Sequence, residues 1–119
     1  MRTPHTISLE IDQRRTASHR ASRAGDPETA WRQLEEAHIL SQPWPGAHTR
    51  VHIDMLALAL RSRAPHEVAG QLLRIVLAGV GSALGRYPAG NTGRADVSAF
   101  RPMPMPAQLG EILDQARGR

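Results

Sequence analysis

Residues 27–60 read PETAWRQLEEAHILSQPWPGAHTRVHIDMLALAL, and two amphipathic helices with one break between them account for the whole stretch. Asp26 stands before it as an N-cap, Pro27 suits the first helical position, and Glu28 sits in the first turn. From there Ala30, Trp31, Leu34, Ala37, His38 and Leu40 or Ser41 recur at helical spacing, which predicts a helix over 27–41 with those residues inward. Gln42-Pro43-Trp44-Pro45-Gly46 breaks it, because proline removes a donor and disfavours helix in the residue before it. The next helix is expected over 47–62, with Val51, His52, Met55, Leu56, Ala59 and Leu60 on one side. Two helices joined by so short a break must lie antiparallel.

The flanks repeat the pattern. Upstream, Ile7, Ile11, Ala17, Ala21 and Ala24 form a thin apolar stripe of a helix over 8–24, which Gly25 ends as a residue just past the C-cap. Downstream, Arg63-Ala64-Pro65 is another break. A fourth helix follows over 65–80, with Val68, Leu72, Ile75, Val76 and Val80 read as its inner face and Gly79, Gly81 and Gly85 eroding its end. Pro88, Pro102, Pro104 and Pro106, with Gly90-Asn91-Thr92-Gly93, make 86–106 irregular. An irregular segment of that length in a small domain suggests a chain that wraps the body and lines a site, and Val97, Phe100, Met103 and Met105 give it something to bury. A short last helix, 107–116, presents Leu109, Ile112 and Leu113. The expected fold is all-α: one domain over 1–119, a compact bundle of four to five helices built from antiparallel hairpins.

Composition narrows the chemistry. The 119 residues include 15 basic and 11 acidic side chains, a net charge of +4, and no cysteine. All the basic residues are arginine, so Schiff-base chemistry, a phosphate-loop lysine and a lysine base are excluded, as are disulfides and thiolate metal sites. The arginines are scattered, and Trp31, Trp44, Tyr87 and Phe100 are too few to make a stacking platform, so no nucleic-acid partner is expected. No nucleotide cofactor is expected either. The apolar run from Leu72 to Val80 is interrupted by Arg74 and too short to span a bilayer, and no leader pattern opens the chain. The expectation is a soluble, cytoplasmic protein without a membrane partner; a homo-oligomer stays open.

What remains reactive is histidine and carboxylate. Glu35 and His38 are three apart on the first helix of the hairpin, and His48 and His52 are four apart on the second, so each pair lies on one helical face. In an antiparallel hairpin, residues equidistant from the turn face one another. His38 then falls opposite His48 and Glu35 opposite His52. The spacing predicts a mononuclear site for a divalent metal (zinc, iron, copper, nickel or manganese) at Glu35, His38, His48 and His52, with Glu36, His66, Glu67 or Gln71 as outer partners. A related reading is a small acid-base or metal-dependent enzyme using His48, His52 and Glu35 on a small molecule enclosed by 86–106. Arg50, Arg86, Arg94 and Arg101 offer planar forks to an acidic ligand, and the turn around Asn91, suited to the left-handed conformation, could serve as an anion nest. Helical histidines also occur as plain hydrogen-bonded residues, so each of these alternatives stays open.

Two resemblances carry implications. Ala21 to Pro45, with Ala24-Gly25-Asp26, Ala30, Leu34, Ala37 and the closing proline, resembles the second half of a tetratricopeptide unit. The first-helix aromatics of that motif are missing, so the resemblance implies hairpin geometry and a peptide-binding groove but no superhelical array. A wider string is similar to an uncharacterised bacterial family of short helical proteins, a domain of unknown function. It comprises Gly25-Asp26, Glu35 to Leu40, His48 to His52 with Met55-Leu56, Glu67 with Gly70-Gln71, Gly90 to Gly93, and Pro102-Met103-Pro104. That resemblance implies a helical fold and a set of positions, and supplies no reaction.

Overall fold

In the computed structural model, which describes residues 2–95, 97, 98 and 100–118, five helices follow one another without a strand among the described residues. They are α1 (His5–Arg23), α2 (Pro27–Ser41), α3 (Pro45–Arg61), α4 (Pro65–Ala83) and α5 (Ala107–Ala116). The punctuation works as its chemistry requires. Gly25 takes φ +78°, Asp26 N–H closes onto the Ala21 carbonyl and Gly25 N–H onto Ser22, which satisfies the last carbonyls of α1. Asp26 then accepts the Thr29 amide at 3.2 Å and starts α2.

Three boundaries differ from expectation by more than one residue. α1 starts three residues early, at His5 behind Pro4, and α3 starts at Pro45, because proline fits the first turn of a helix as well as it breaks one. α4 runs on through its glycines to Ala83. Among the segment 86–106, Asp96 and Ala99 lie outside the described residues.

α1 packs on α2, α3 on α4, and α2 on α3, with α5 closing against α1 and α2. The core is built from Ile7, Ile11, Trp31, Leu34, Leu40, Val51, Met55, Leu58, Leu109 and Leu113. Buried Ser18 donates to the Ala30 carbonyl at 2.8 Å, Arg14 bridges to Glu36 at 2.9 Å, and Arg15 pairs with Asp54, so α1 is tied to both α2 and α3. No helix among the described residues is long and apolar enough to cross a membrane.

α4 reverses the expected orientation. Its buried residues are Glu67, Gln71, Arg74, Ala78 and Ser82, whereas Leu72, Val76 and Val80, read as inward, are exposed. Val68 and Ile75 alone of the expected inner set are half-buried. Leu60 of α3 is likewise exposed rather than inward. The reason for the reversal lies in what the polar stripe of α4 touches.

Candidate metal centre

The three elements that meet at the polar stripe each bring one kind of group. α2 contributes His38, α3 contributes His48 and His52 one turn apart, and the stretch after α4 contributes backbone carbonyls. All three histidines are buried. Their Nε2 atoms converge: His38 lies 3.1 Å from both His48 and His52, which are 3.2 Å from each other.

The opposite ring nitrogens settle the tautomers. His38 Nδ1 lies 2.7 Å from the Asn91 carbonyl oxygen, which can only accept, so Nδ1 carries the proton. His52 Nδ1 lies 2.6 Å from Gln71 Oε1, and the Gln71 amide nitrogen is committed to Glu67 and, at 2.8 Å, to the Gly93 carbonyl. His52 therefore donates there as well. His48 Nδ1 lies 2.6 Å from Ser82 Oγ, whose own proton goes to the Gln42 carbonyl. Each ring thus spends its proton outward and turns an Nε2 lone pair to the centre.

Burial keeps the rings neutral. It is the largest cause of depression at all three, pushing His48 down to about 3 and His52 to about 4, and His38 well below its usual value. Neighbouring histidines add to this at His38 and His48, and Arg74 at His38 and His52. Three buried lone pairs about 3 Å apart with no proton between them repel one another. These are ligand atoms close enough to hold a metal ion.

A cavity of about 240 Å³ touches all three rings. Its remaining wall is Gln42, Arg74, Leu77, Val80, Tyr87 and Phe100, among others, and none of its lining residues is acidic. A larger hollow of about 580 Å³ lies between α1 and α3, but its Arg15 and Asp54 are bonded to each other and no comparable convergence occurs there.

A family model described as "Protein of unknown function (DUF3703)" matches residues 5–113. The chain belongs to this family. No curated protein and no solved structure matches it. The match takes in α1 to α4, the irregular segment and most of α5, so every residue of the centre falls within the DUF3703 region.

Of the residues the sequence pointed to, His38, His48 and His52 are brought together and Glu35 is not. His38 stands between His48 and His52 instead of level with His48, which moves Glu35 a turn beyond the triad. There it accepts from Arg94 at 3.1 Å. The same guanidinium bonds Glu67 at 2.6 Å and lies 4.0 Å above the Trp31 ring. Arg94 is therefore a structural clamp between α2 and α4.

Gln71, one of the expected outer partners, accepts from His52, and Glu67 stands one hydrogen bond further out. Glu36 is bound to Arg14, and His66 is exposed. Arg50 is exposed away from the triad, while Arg86 lines its cavity. Asn91 is buried and its own φ is not positive; the left-handed residues of that turn are Gly90 and Gly93. The Asn91 side chain binds its own segment, accepting Gly93 N–H at 2.8 Å and donating to the Ser98 and Arg101 carbonyls.

Ser82 carries no expectation from the sequence, and Gly93 enters there only as part of the Gly90–Gly93 turn. Ser82 was readable, since Glu67, Gln71, Arg74, Ala78 and Ser82 form one polar or small stripe along a helix whose large apolar residues lie off it.

Proposed function

We propose that this protein binds one divalent transition metal through the Nε2 atoms of His38, His48 and His52, leaving a coordination position open toward the adjoining cavity. The observation that carries the proposal is the set of three committed Nδ1 protons, which leaves three inward lone pairs and nothing to separate them. The spacing also suits an ion: at metal–nitrogen bonds of about 2.05 Å, nitrogens this far apart would place it ~1 Å off their plane with N–metal–N angles near ~100°. Three neutral imidazoles favour zinc, copper, nickel or iron, and disfavour manganese, which prefers oxygen donors. Gln71, Ser82 and the Asn91 carbonyl would orient the ligands and raise their basicity.

The experiment is metal analysis of protein purified without a histidine tag, before and after reconstitution with zinc. About one equivalent, lost together with His48 and His52 in a double alanine variant, is the expected result. Less than about a tenth of an equivalent, unchanged after reconstitution, would remove the proposal.

The cavity favours a second reading built on the same centre, in which the bound metal polarises water or a small molecule there. Its wall of Leu77, Val80 and Phe100 is apolar, and Arg86 at its margin suits an anionic group. A perturbed visible spectrum on adding azide to the cobalt-loaded protein supports an open position; an unchanged spectrum at saturating azide argues for a closed, structural site. A peptide groove would give the histidines no reason to converge, so their meeting at one point supports the metal reading over it.

A further inference from the structure

With its polar stripe given to the histidines, α4 turns its apolar residues to solvent. Leu72, Leu73, Val76, Val80 and Leu84 are all more than half exposed, Val76 at 69%, and Phe100 beside them stands at 77%. The other strongly exposed apolar residues, Leu9, Ile53 and Leu60, are single and each is followed in sequence by a charged one. The face on α4 is different in kind. It runs on from Leu72 to Leu84, about three and a half turns, and the one cation within the helix, Arg74, is buried on the other side.

We infer that this face is where a second copy of the chain docks, α4 against α4 and antiparallel about a two-fold axis between Val76 and Leu77. Three observations choose this occupant. The face is palindromic: counting outward from the axis, Val76 pairs with Leu77, Leu73 with Val80, and Ala69 with Leu84, every one of them exposed. Two antiparallel copies therefore oppose apolar to apolar at each level, as an isologous contact requires. The α4 residues of the face are uncharged, and Arg86, exposed at one end of it, falls far from its own counterpart in an antiparallel pairing, so self-association brings no like charges together. Its area is also sufficient, since the bare parts of these side chains with Phe100 and Leu77 amount to roughly 700 Å² per copy, close to the ~800 Å² each partner gives to a standard interface. A lipid surface is disfavoured by the same pattern, because helices that lie on membranes carry lysine or arginine along the opposite face, whereas the buried stripe of α4 holds Glu67 and Gln71 beside Arg74.

The test is sedimentation equilibrium of the untagged full chain at micromolar concentration, alone and with Val76→Glu. The wild type is expected at twice its 13.0 kDa mass, and Val76→Glu, which places a charge in the centre of the contact, at the single mass with an unchanged helical circular dichroism spectrum. The dissociation constant should rise about 100-fold or more. The chain has no cysteine, so register is read cleanly: Val76→Cys is expected to close an intermolecular disulfide, and Glu28→Cys is not. A wild type that stays at the single mass, a dimer that Val76→Glu leaves intact, or a monomer that binds anionic vesicles through this face would each overturn the inference. None of these readouts depends on a bound metal.

Discussion

Replacing Gly93 by alanine tests the packing of the centre without removing any ligand. Gly93 has φ +83°, and a Cβ built on it falls 2.6 Å from His38 Cδ2, 2.8 Å from Cγ and 2.9 Å from Nε2, where 3.4 Å begins ordinary contact. The ring would have to withdraw by about 0.8 Å, yet its Nδ1 is held by Asn91 and its other edge faces two more imidazoles. Gly85→Ala is the control: φ is +69° and nothing lies within 4 Å of the new methyl. Both variants pay the backbone strain of about 1–2 kcal/mol. Gly93→Ala adds about 1–3 kcal/mol of overpacking. At roughly 4 °C per kcal/mol, thermal unfolding of the metal-free proteins should fall by about 4–8 °C for Gly85→Ala and about 8–20 °C for Gly93→Ala. Zinc affinity should drop about 10- to 100-fold in Gly93→Ala, since metal distances tolerate only ~0.2 Å, and stay unchanged in Gly85→Ala. Indistinguishable variants in both assays would refute the placement of the turn against His38.

Four further outcomes are expected. Ser82→Ala leaves the His48 Nδ1–H without its acceptor and should weaken zinc binding about 10- to 100-fold by competition titration, with one equivalent still bound at saturation; unaltered affinity would count against the orienting role. Glu35→Gln should retain full metal stoichiometry, because its carboxylate is engaged with Arg94, and loss of the equivalent would return Glu35 to the ligand set. Arg94→Ala removes the guanidinium bound to the buried Glu67 carboxylate, leaving it the Gln71 amide and the Ala95 N–H among the described residues, and should cost about 2–4 kcal/mol in urea unfolding, whereas a loss below about 0.5 kcal/mol would deny the clamp. For the metal-free chain, the triad histidines have folded pKa values below the unfolded one of about 6.5, so the unfolded state binds more protons beneath that pH. Stability is complete above about 6.5 and is lost as pH falls toward 4, by up to about 1.4 kcal/mol per unit for each histidine. His48→Ala should flatten that slope by about one proton, and an equally steep variant would contradict the assignment.

The helix ends were legible because their chemistry is local. Gly25-Asp26-Pro27 and Arg63-Ala64-Pro65 need no distant partner to act, whereas Pro45 could be read either as a breaker or as the opening of α3. The inner face of α4 was not legible from hydrophobic periodicity, which shows that a helix has two faces but not which one meets the core. Here the apolar face is outward because the polar one orients histidines. At the site, the spacing of His38, His48 and His52 was enough to bring the three together. Glu35 shared their helical face, yet the crossing of α2 over α3 set the level of His38, and an arginine 59 positions away claimed the carboxylate. Gly93 carried no signal of its own, since its importance comes wholly from the ring that lies against it.

The central claim is that three Nε2 lone pairs share one cation. The most direct measurement is an anomalous difference map from crystals of the zinc-reconstituted protein, collected at the zinc edge. A single peak about 2.0–2.1 Å from Nε2 of His38, His48 and His52 is the predicted result. Three rings in the same arrangement with no anomalous peak among them would contradict it.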